Sequence, residues 1–202
     1  MSNEKKQDES LAGLRELIIE VVSIFDRLSI PYAICGSIAS SAWGAFRTTN
    51  DADIIAGIAR EHYETIAKRF PPPRFNLTDF VIKEQIETGN QLNIIDSETG
   101  MKVDIFIVPK DEWGENQLKN RKLINFIDKK LVYFCAAEDV IISKLVYYKI
   151  GGSEKHIKDI SGIIDVSGKS LDKKYLVYWA KEKQVSEILE KIAKELKFDL
   201  LE

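Results

Sequence analysis

The sequence predicts an α/β chain: a mixed β-sheet core flanked by helices up to about residue 135, followed by a helical C-terminal region. Two observations predict it. Short apolar runs bounded by turn residues alternate with amphipathic stretches as far as Phe134, and from Ala137 onward the apolar spacing is helical. With 202 residues, 45% of them hydrophobic, the chain can bury a core as one domain with an appendage or as two small domains. The expected division is a flexible tail over 1–10, a sheet core over 11–135 and a helical region over 136–202.

Each element has its own signal. Leu11, Leu14, Leu17, Ile18, Val21, Val22, Phe25 and Leu28 recur at helical spacing, with Ser10 as the N-cap candidate. Tyr32-Ala-Ile-Cys35 reads as a buried strand after Pro31, and Gly36-Ser37 turns the chain into a small-residue helix over Ile38–Gly44. Asp51–Ala56 is the next strand, and a helix over Glu61–Phe70 stops at Pro71-Pro72-Pro73. Phe80–Ile86, Gln91–Ile95 and Lys102–Val108 read as strands, with turns at Gly89-Asn90 and Thr99-Gly100. Within Leu123–Phe134, Asp128-Lys-Lys130 suggests a hairpin turn between two short strands. Val140, Ile141, Leu145 and Tyr148 form a helix face ended by Gly151-Gly152, and further helices are expected over Glu154–Val166, Leu171–Lys181 and Val185–Leu196.

Composition excludes several classes. A net charge of -3 and a pI near 5.6 argue against a surface that is basic throughout, though not against a local basic groove. Cys35 and Cys135 have no partner spacing, so neither a disulfide framework nor a zinc site is indicated. MSNEKKQDES lacks the apolar stretch of a signal peptide, and no apolar run is long enough to span a bilayer. A soluble, cytoplasmic protein with no membrane partner is the expectation.

Asp51-Ala-Asp53 is the most informative tripeptide. On a strand, residues i and i+2 project to one face, so both carboxylates stand together and repel. A divalent cation resolves that repulsion, and hard carboxylate oxygens suit Mg²⁺. The bland alternative puts both acids on the solvent face of an edge strand. Two further features favour a metal. Gly36-Ser37, between a strand and a helix, offers backbone N–H groups and a hydroxyl to a phosphate, and residues 38–50 leave room for one helix and a return loop. Asp104 stands in the apolar run Lys-Val-Asp-Ile-Phe-Ile-Val, where an unpaired carboxylate is expensive unless it completes a metal site.

The segment Cys35–Ile55, CGSIASSAWGAFRTTNDADII, resembles the signature of the polymerase-beta-type nucleotidyltransferase superfamily: Gly-Ser, a spacer, a hydrophobic-flanked Asp-x-Asp, and a third Asp on a later strand. Cys35 departs from the first Gly of many members. More narrowly, Arg47-x-Thr49-x-Asp51-x-Asp53 is similar to bacterial and archaeal nucleotidyltransferases related to abortive-infection toxins. The resemblance covers about residues 31–108. It implies two Mg²⁺ ions (or Mn²⁺) on Asp51, Asp53 and Asp104, and a nucleoside triphosphate such as ATP with its phosphates on Gly36 and Ser37. Arg47 reads as a second phosphate or acceptor contact, or as a surface arginine that fixes the loop. Related toxins also carry a Leu-x-x-x-Lys helix and an Arg-Asp pair; here Ile141 and Lys144 match the first and Lys158-Asp159 stands in place of the second. By that likeness Lys144 contacts nucleotide and Asp159 is a supporting or catalytic acid.

The implied reaction is attack of an acceptor hydroxyl on the α-phosphorus of the triphosphate, releasing pyrophosphate. Transfer RNA or another RNA, a protein, and a small hydroxylated molecule such as an aminoglycoside all fit as acceptor. Lys119, Arg121, Lys122, Lys129 and Lys130 could follow an RNA backbone or simply face solvent. Two rival readings are a non-catalytic nucleotide-binding module of a toxin–antitoxin-like pair, working with a partner protein, and an acidic structural domain without metal.

Overall fold

The computed structural model describes residues 3–75, 77–89, 91–127 and 129–200. The chain forms two compact units, Met1–Cys35 with Thr48–Phe134 and Gly36–Arg47 with Cys135–Glu202. The segment Gly36–Arg47, expected with the sheet core, groups with the helical unit.

The first unit carries a mixed six-stranded sheet in the order β3-β4-β2-β1-β6-β5. Its strands are β1 (Tyr32–Cys35), β2 (Asp51–Ala56), β3 (Gln91–Ile95), β4 (Lys102–Ile107), β5 (Lys122–Ile127) and β6 (Lys130–Phe134). β2 runs parallel to β4, and β1 parallel to β6; the β1–β2, β3–β4 and β5–β6 pairs are antiparallel. Leu92, Ile94, Val103, Ile105, Ala52, Ile54 and Ile34 line one face of the four strands at the β3 end and are at most 1% exposed. Burying each such Leu or Ile contributes about 1.5–3 kcal/mol. Helix α1 (Asn3–Leu28) packs against β2 and β4. Its stripe Leu14, Leu17, Ile18, Val21, Val22 and Phe25 is buried, as the spacing anticipated.

Helix α1 begins at Asn3 rather than Leu11, so residues 3–10, expected as tail, are helical and Ser10 lies inside the helix instead of capping it. After a single 3₁₀ turn at Arg60–His62, α3 spans Tyr63–Arg69 and stops ahead of the prolines. The expected strand over Phe80–Ile86 is part of helix α4 (Asp79–Gly89). The Phe-Val-Ile run imitates a strand, but burial follows the i, i+4 pair Ile82 and Ile86 while Phe80 is 72% exposed. Thr78 starts the helix, its hydroxyl accepting from the Val81 N–H at 3.2 Å.

Helix α5 (Glu112–Asn120) carries no apolar period to announce it. Asp111 initiates it by accepting from the Gly114 N–H at 2.8 Å, and Glu112 and Glu115 lie in its first turn. The β5–β6 hairpin matches the reading of two short strands; Asn90 and Asp128, placed in turns by the sequence, lie outside the described residues.

The second unit contains helices α2 (Gly36–Trp43), α6 (Ala137–Gly151), α7 (Glu154–Ser167), α8 (Lys173–Glu182) and α9 (Ser186–Leu196). Their core is built from Val140, Ile141, Ile142, Leu145, Ile160, Ile163, Leu176, Trp179, Leu189 and Ile192. The end of α2 approaches α7 closely because Gly44, just past α2, meets Gly162 of α7. A Cβ on Gly44 would lie 2.7 Å from the Gly162 carbonyl carbon, so the backbones nearly touch. Two hydrogen bonds fix the end of α2. Trp43 Nε1 donates to the Cys135 carbonyl at 2.8 Å, and Ser167 Oγ donates to the Trp43 carbonyl at 2.6 Å.

Candidate functional site

Strand β2 places Asp51 and Asp53 on one face by the alternation of the pleat, with Ala52 and Ile54 fully buried on the other. The parallel register with β4 sets Asp53 opposite Asp104 and Asp51 opposite Lys102. The next pairings extend the first row to Asn93 on β3 and Cys35 on β1. The acids expected to act together thus share one face of two adjacent strands.

Their surroundings differ. Asp51 is exposed, and Thr49 Oγ1 donates to its Oδ1 at 2.5 Å. Asp53 is half-buried. Asp104 is 6% exposed; its Oδ2 receives the Lys102 ammonium at 2.6 Å, while its buried Oδ1 has no hydrogen-bond partner. The bond to Asp104 raises the pKa of Lys102 most, burial works in the opposite direction, and the charges of Asp104, Asp51 and Asp53 add to the rise. Among the described residues no group of three His, Cys, Asp or Glu side chains converges to enclose an ion. In this arrangement a lysine ammonium holds Asp104 and a threonine hydroxyl holds Asp51. The donor set nevertheless suits a hard divalent cation: all three acids offer carboxylate oxygen, and the orphaned Asp104 Oδ1 is an acceptor lacking a partner in a site where leaving one costs about 1–3 kcal/mol.

In the helical unit, α2 begins at Gly36, directly after β1 ends. Gly36 has φ +58°, a left-handed conformation that a side chain would strain, so the abrupt strand-to-helix turn requires glycine here. Ser40 and Ser41 donate back to the Gly36 and Ser37 carbonyls at 2.8 and 3.1 Å, tying down the helix. The Ser41 hydroxyl also accepts from the Arg47 N–H at 3.2 Å, folding the following segment back along α2.

That fold brings Arg47 to Ser37 and to Asp159 of α7. Arg47 Nη2 donates to Ser37 Oγ. Its fork meets Asp159 with Nε–Oδ1 at 3.0 Å and Nη2–Oδ2 at 3.2 Å. Lys144 of α6 donates to Asp159 Oδ2 at 2.6 Å, and the Lys144 and Asp159 side chains are only 6% and 7% exposed. Burial alone would raise the Asp159 pKa; the hydrogen bonds and charges of Arg47 and Lys144 outweigh it and hold the carboxyl below its ordinary 3.8. Ser37, Arg47, Lys144 and Asp159, four residues named from the sequence, therefore form one connected network. Lys158, beside Asp159, is exposed.

Sequence reasoning passed over Lys102. Its signal was present: it sits two residues before Asp104, on the same face of the same strand. The bond between Ser37 and Arg47 had no such signal, since it depends on how the chain returns after Trp43.

No protein-family model and no curated protein matches the sequence. Solved structures do match. The solution structure of the antibiotic-resistance factor ANT(2'')-Ia aligns over 91% of this chain and 98% of its own, with a TM-score of 0.57 and 15% identity. A crystal structure of ANT(2'')-Ia in complex with adenylyl-2''-tobramycin aligns over 84% and 96%, with a TM-score of 0.55 and 14% identity. An antigenic nucleotidyltransferase-like protein from Paracoccidioides brasiliensis aligns over 92% and 93%, with a TM-score of 0.52 and 17% identity. At these identities the likeness is one of architecture: the chain has the fold of nucleotidyltransferases.

Proposed function

We propose that this protein is a metal-dependent nucleotidyltransferase that moves a nucleoside monophosphate from a nucleoside triphosphate to an acceptor hydroxyl. The observation that carries the reading is the β2–β4 register, which aligns Asp53 with Asp104 and keeps Asp51 on the same face. Asp51, Asp53 and Asp104 would hold the divalent ions, Mg²⁺ or Mn²⁺. Such ions, when bound, make the attacking hydroxyl more acidic and neutralise the leaving phosphates. The acceptor oxygen forms a bond to the α-phosphorus, the bond to the bridging α–β oxygen breaks, and pyrophosphate leaves with that oxygen. The hydroxyl proton passes to a base.

The other residues serve the substrate's charge. Gly36 and Ser37, at the start of α2, would present backbone N–H groups and a hydroxyl to the phosphates. Arg47 and Lys144 would offset phosphate charge, and Asp159 would hold both in place. ATP is the first donor to test, because a neighbour of the same fold was crystallised with an adenylylated antibiotic. That product also makes a small polyhydroxylated molecule the first acceptor, with RNA and protein following, as the toxin-like Arg47-x-Thr49-x-Asp51-x-Asp53 motif suggests.

The test is incubation of wild type and Asp53→Asn with each α-labelled triphosphate, Mg²⁺ or Mn²⁺, and acceptors of the three classes. The expected result is metal-dependent label transfer with pyrophosphate release, reduced at least about hundredfold by Asp53→Asn. Wild type that binds no triphosphate in the presence of either metal would sink the enzyme reading.

A further inference from the structure

We infer that Lys102 is a resident counter-ion of the carboxylate face and sets how tightly that face takes a divalent cation. The inference rests on the metal reading above and deepens it. β2 and β4 bring four charged side chains to one face: Asp51 opposite Lys102, and Asp53 opposite Asp104. Among these four, a single ammonium stands against three carboxylates. It lies 2.6 Å from Asp104 Oδ2, and the lysine side chain is only 38% exposed.

Two features separate this pair from an ordinary surface salt bridge. Asp104 is nine-tenths buried, with 9% of its side chain exposed, so its charge is poorly served by water. Its other oxygen, Oδ1, is buried with no hydrogen-bond partner, so the lysine satisfies only half of the carboxylate. A cation approaching Asp104 therefore meets a carboxylate with one oxygen open and the other held by an ammonium it must displace or repel. The face is partly neutralised in the absence of metal, which spares the fold the repulsion of three carboxylates. The same charge then weakens metal binding, because two cations compete for one set of oxygens.

Calorimetric titration of the full chain with Mn²⁺, without nucleotide, tests this in wild type, Lys102→Met and Lys102→Arg. Lys102→Met keeps the aliphatic stem and removes the charge; it is expected to bind Mn²⁺ about tenfold tighter or more. Lys102→Arg keeps the charge and is expected to stay close to wild type. The melting midpoint supplies a second readout. In EDTA, Lys102→Met should melt below wild type, and Mn²⁺ should raise its midpoint by more than it raises the wild-type midpoint. If Lys102→Met unfolds in EDTA, Lys102→Gln, neutral but polar, carries the same expectation. Mn²⁺ affinity equal to or weaker than wild type in the neutral variants overturns the role of Lys102 and leaves the metal reading standing. Absence of Mn²⁺ binding in wild type and neutral variants alike overturns both.

Discussion

Asp104 and Asp159 are both buried carboxylates with a lysine ammonium 2.6 Å away, yet they stand in opposite electrostatic settings. Asp159, in the helical unit, is held by two cations: Lys144 reaches one oxygen and the fork of Arg47 reaches both. Asp104, in the sheet unit, has one cation on one oxygen, nothing on the other, and two more carboxylates on its face. The Asp159 cluster carries excess positive charge and the Asp104 cluster excess negative charge. The first suits a polyanion such as a triphosphate, the second a divalent cation. Two carboxylates with a similar immediate contact thus differ in their surroundings: Asp159 has both oxygens held by cations, while Asp104 keeps one oxygen without a partner.

The largest expected effect separates these roles directly. Asp159→Ala breaks the ion pair of Lys144, whose side chain is 6% exposed, and releases Arg47. Breaking a buried ion pair from one side costs about 3–5 kcal/mol, read as a drop in urea midpoint. Asp53→Asn removes one of three neighbouring like charges and should shift stability by no more than about 1 kcal/mol, toward greater stability. Equal destabilisation by the two variants would erase the distinction.

A second, intermediate effect tests what holds the helical cluster together. In Gly44→Ala the added methyl would lie 2.7 Å from both the Gly162 carbonyl carbon and the Ile163 nitrogen, backbone atoms that no rotamer change can move. Overpacking of this kind costs about 1–3 kcal/mol. The variant should also push α2 from α7 and loosen the Ser37–Arg47–Asp159 connection, and so weaken triphosphate binding while leaving Mn²⁺ binding unchanged. Loss of Mn²⁺ binding in Gly44→Ala would mean that the two clusters are not independent.

The difference between the units also governs what could be read from the sequence. Strands β1, β2 and β3 fall where their apolar runs ended, because short buried strands bounded by turns leave a period that the sequence displays. Helices α7, α8 and α9 fall within two residues of expectation for the same reason. Helix α4 failed where Phe80-Val-Ile82 imitated a strand, and α5 was invisible because a short polar helix containing glycine is set by its Asp111 cap rather than by periodicity. Asp51, Asp53 and Asp104 could be named because strand alternation is local. The contact of Lys102 with Asp104 is just as local and was overlooked, whereas the alignment of that pair with Asp51 and Asp53 could not be read, because register between β2 and β4 is a long-range property. Likewise Gly36-Ser37 was legible as a turn, whereas its grouping with the helical unit depends on the glycine contact between the end of α2 and α7.

The smallest effect is a titration, and it asks whether the helical cluster is as positive as its ion pairs suggest. His156 stacks on Tyr147 at 6.0 Å between ring centroids, and its buried Nδ1 has no hydrogen-bond partner. Burial is the main cause that lowers its pKa below 6.5; the charge of Lys144 adds to it, with Lys155 and Arg47 in the same direction and Asp159 opposing. The unfolded chain therefore takes up a proton at this histidine as pH falls past 6.5, while the folded chain resists until its own lower value is reached. The contribution of neutral His156 to stability is complete above 6.5 and is lost between those two values. Asp159 follows the same sign further down, its contribution complete above 3.8 and lost as pH falls toward its depressed value. Nuclear magnetic resonance titration of the imidazole protons should place the His156 midpoint below 6.5 in wild type and move it upward in Lys144→Met. A wild-type midpoint at or above 6.5 would mean that Asp159 dominates the field there, and the contrast with the carboxylate face would then rest on the ion-pair geometry alone.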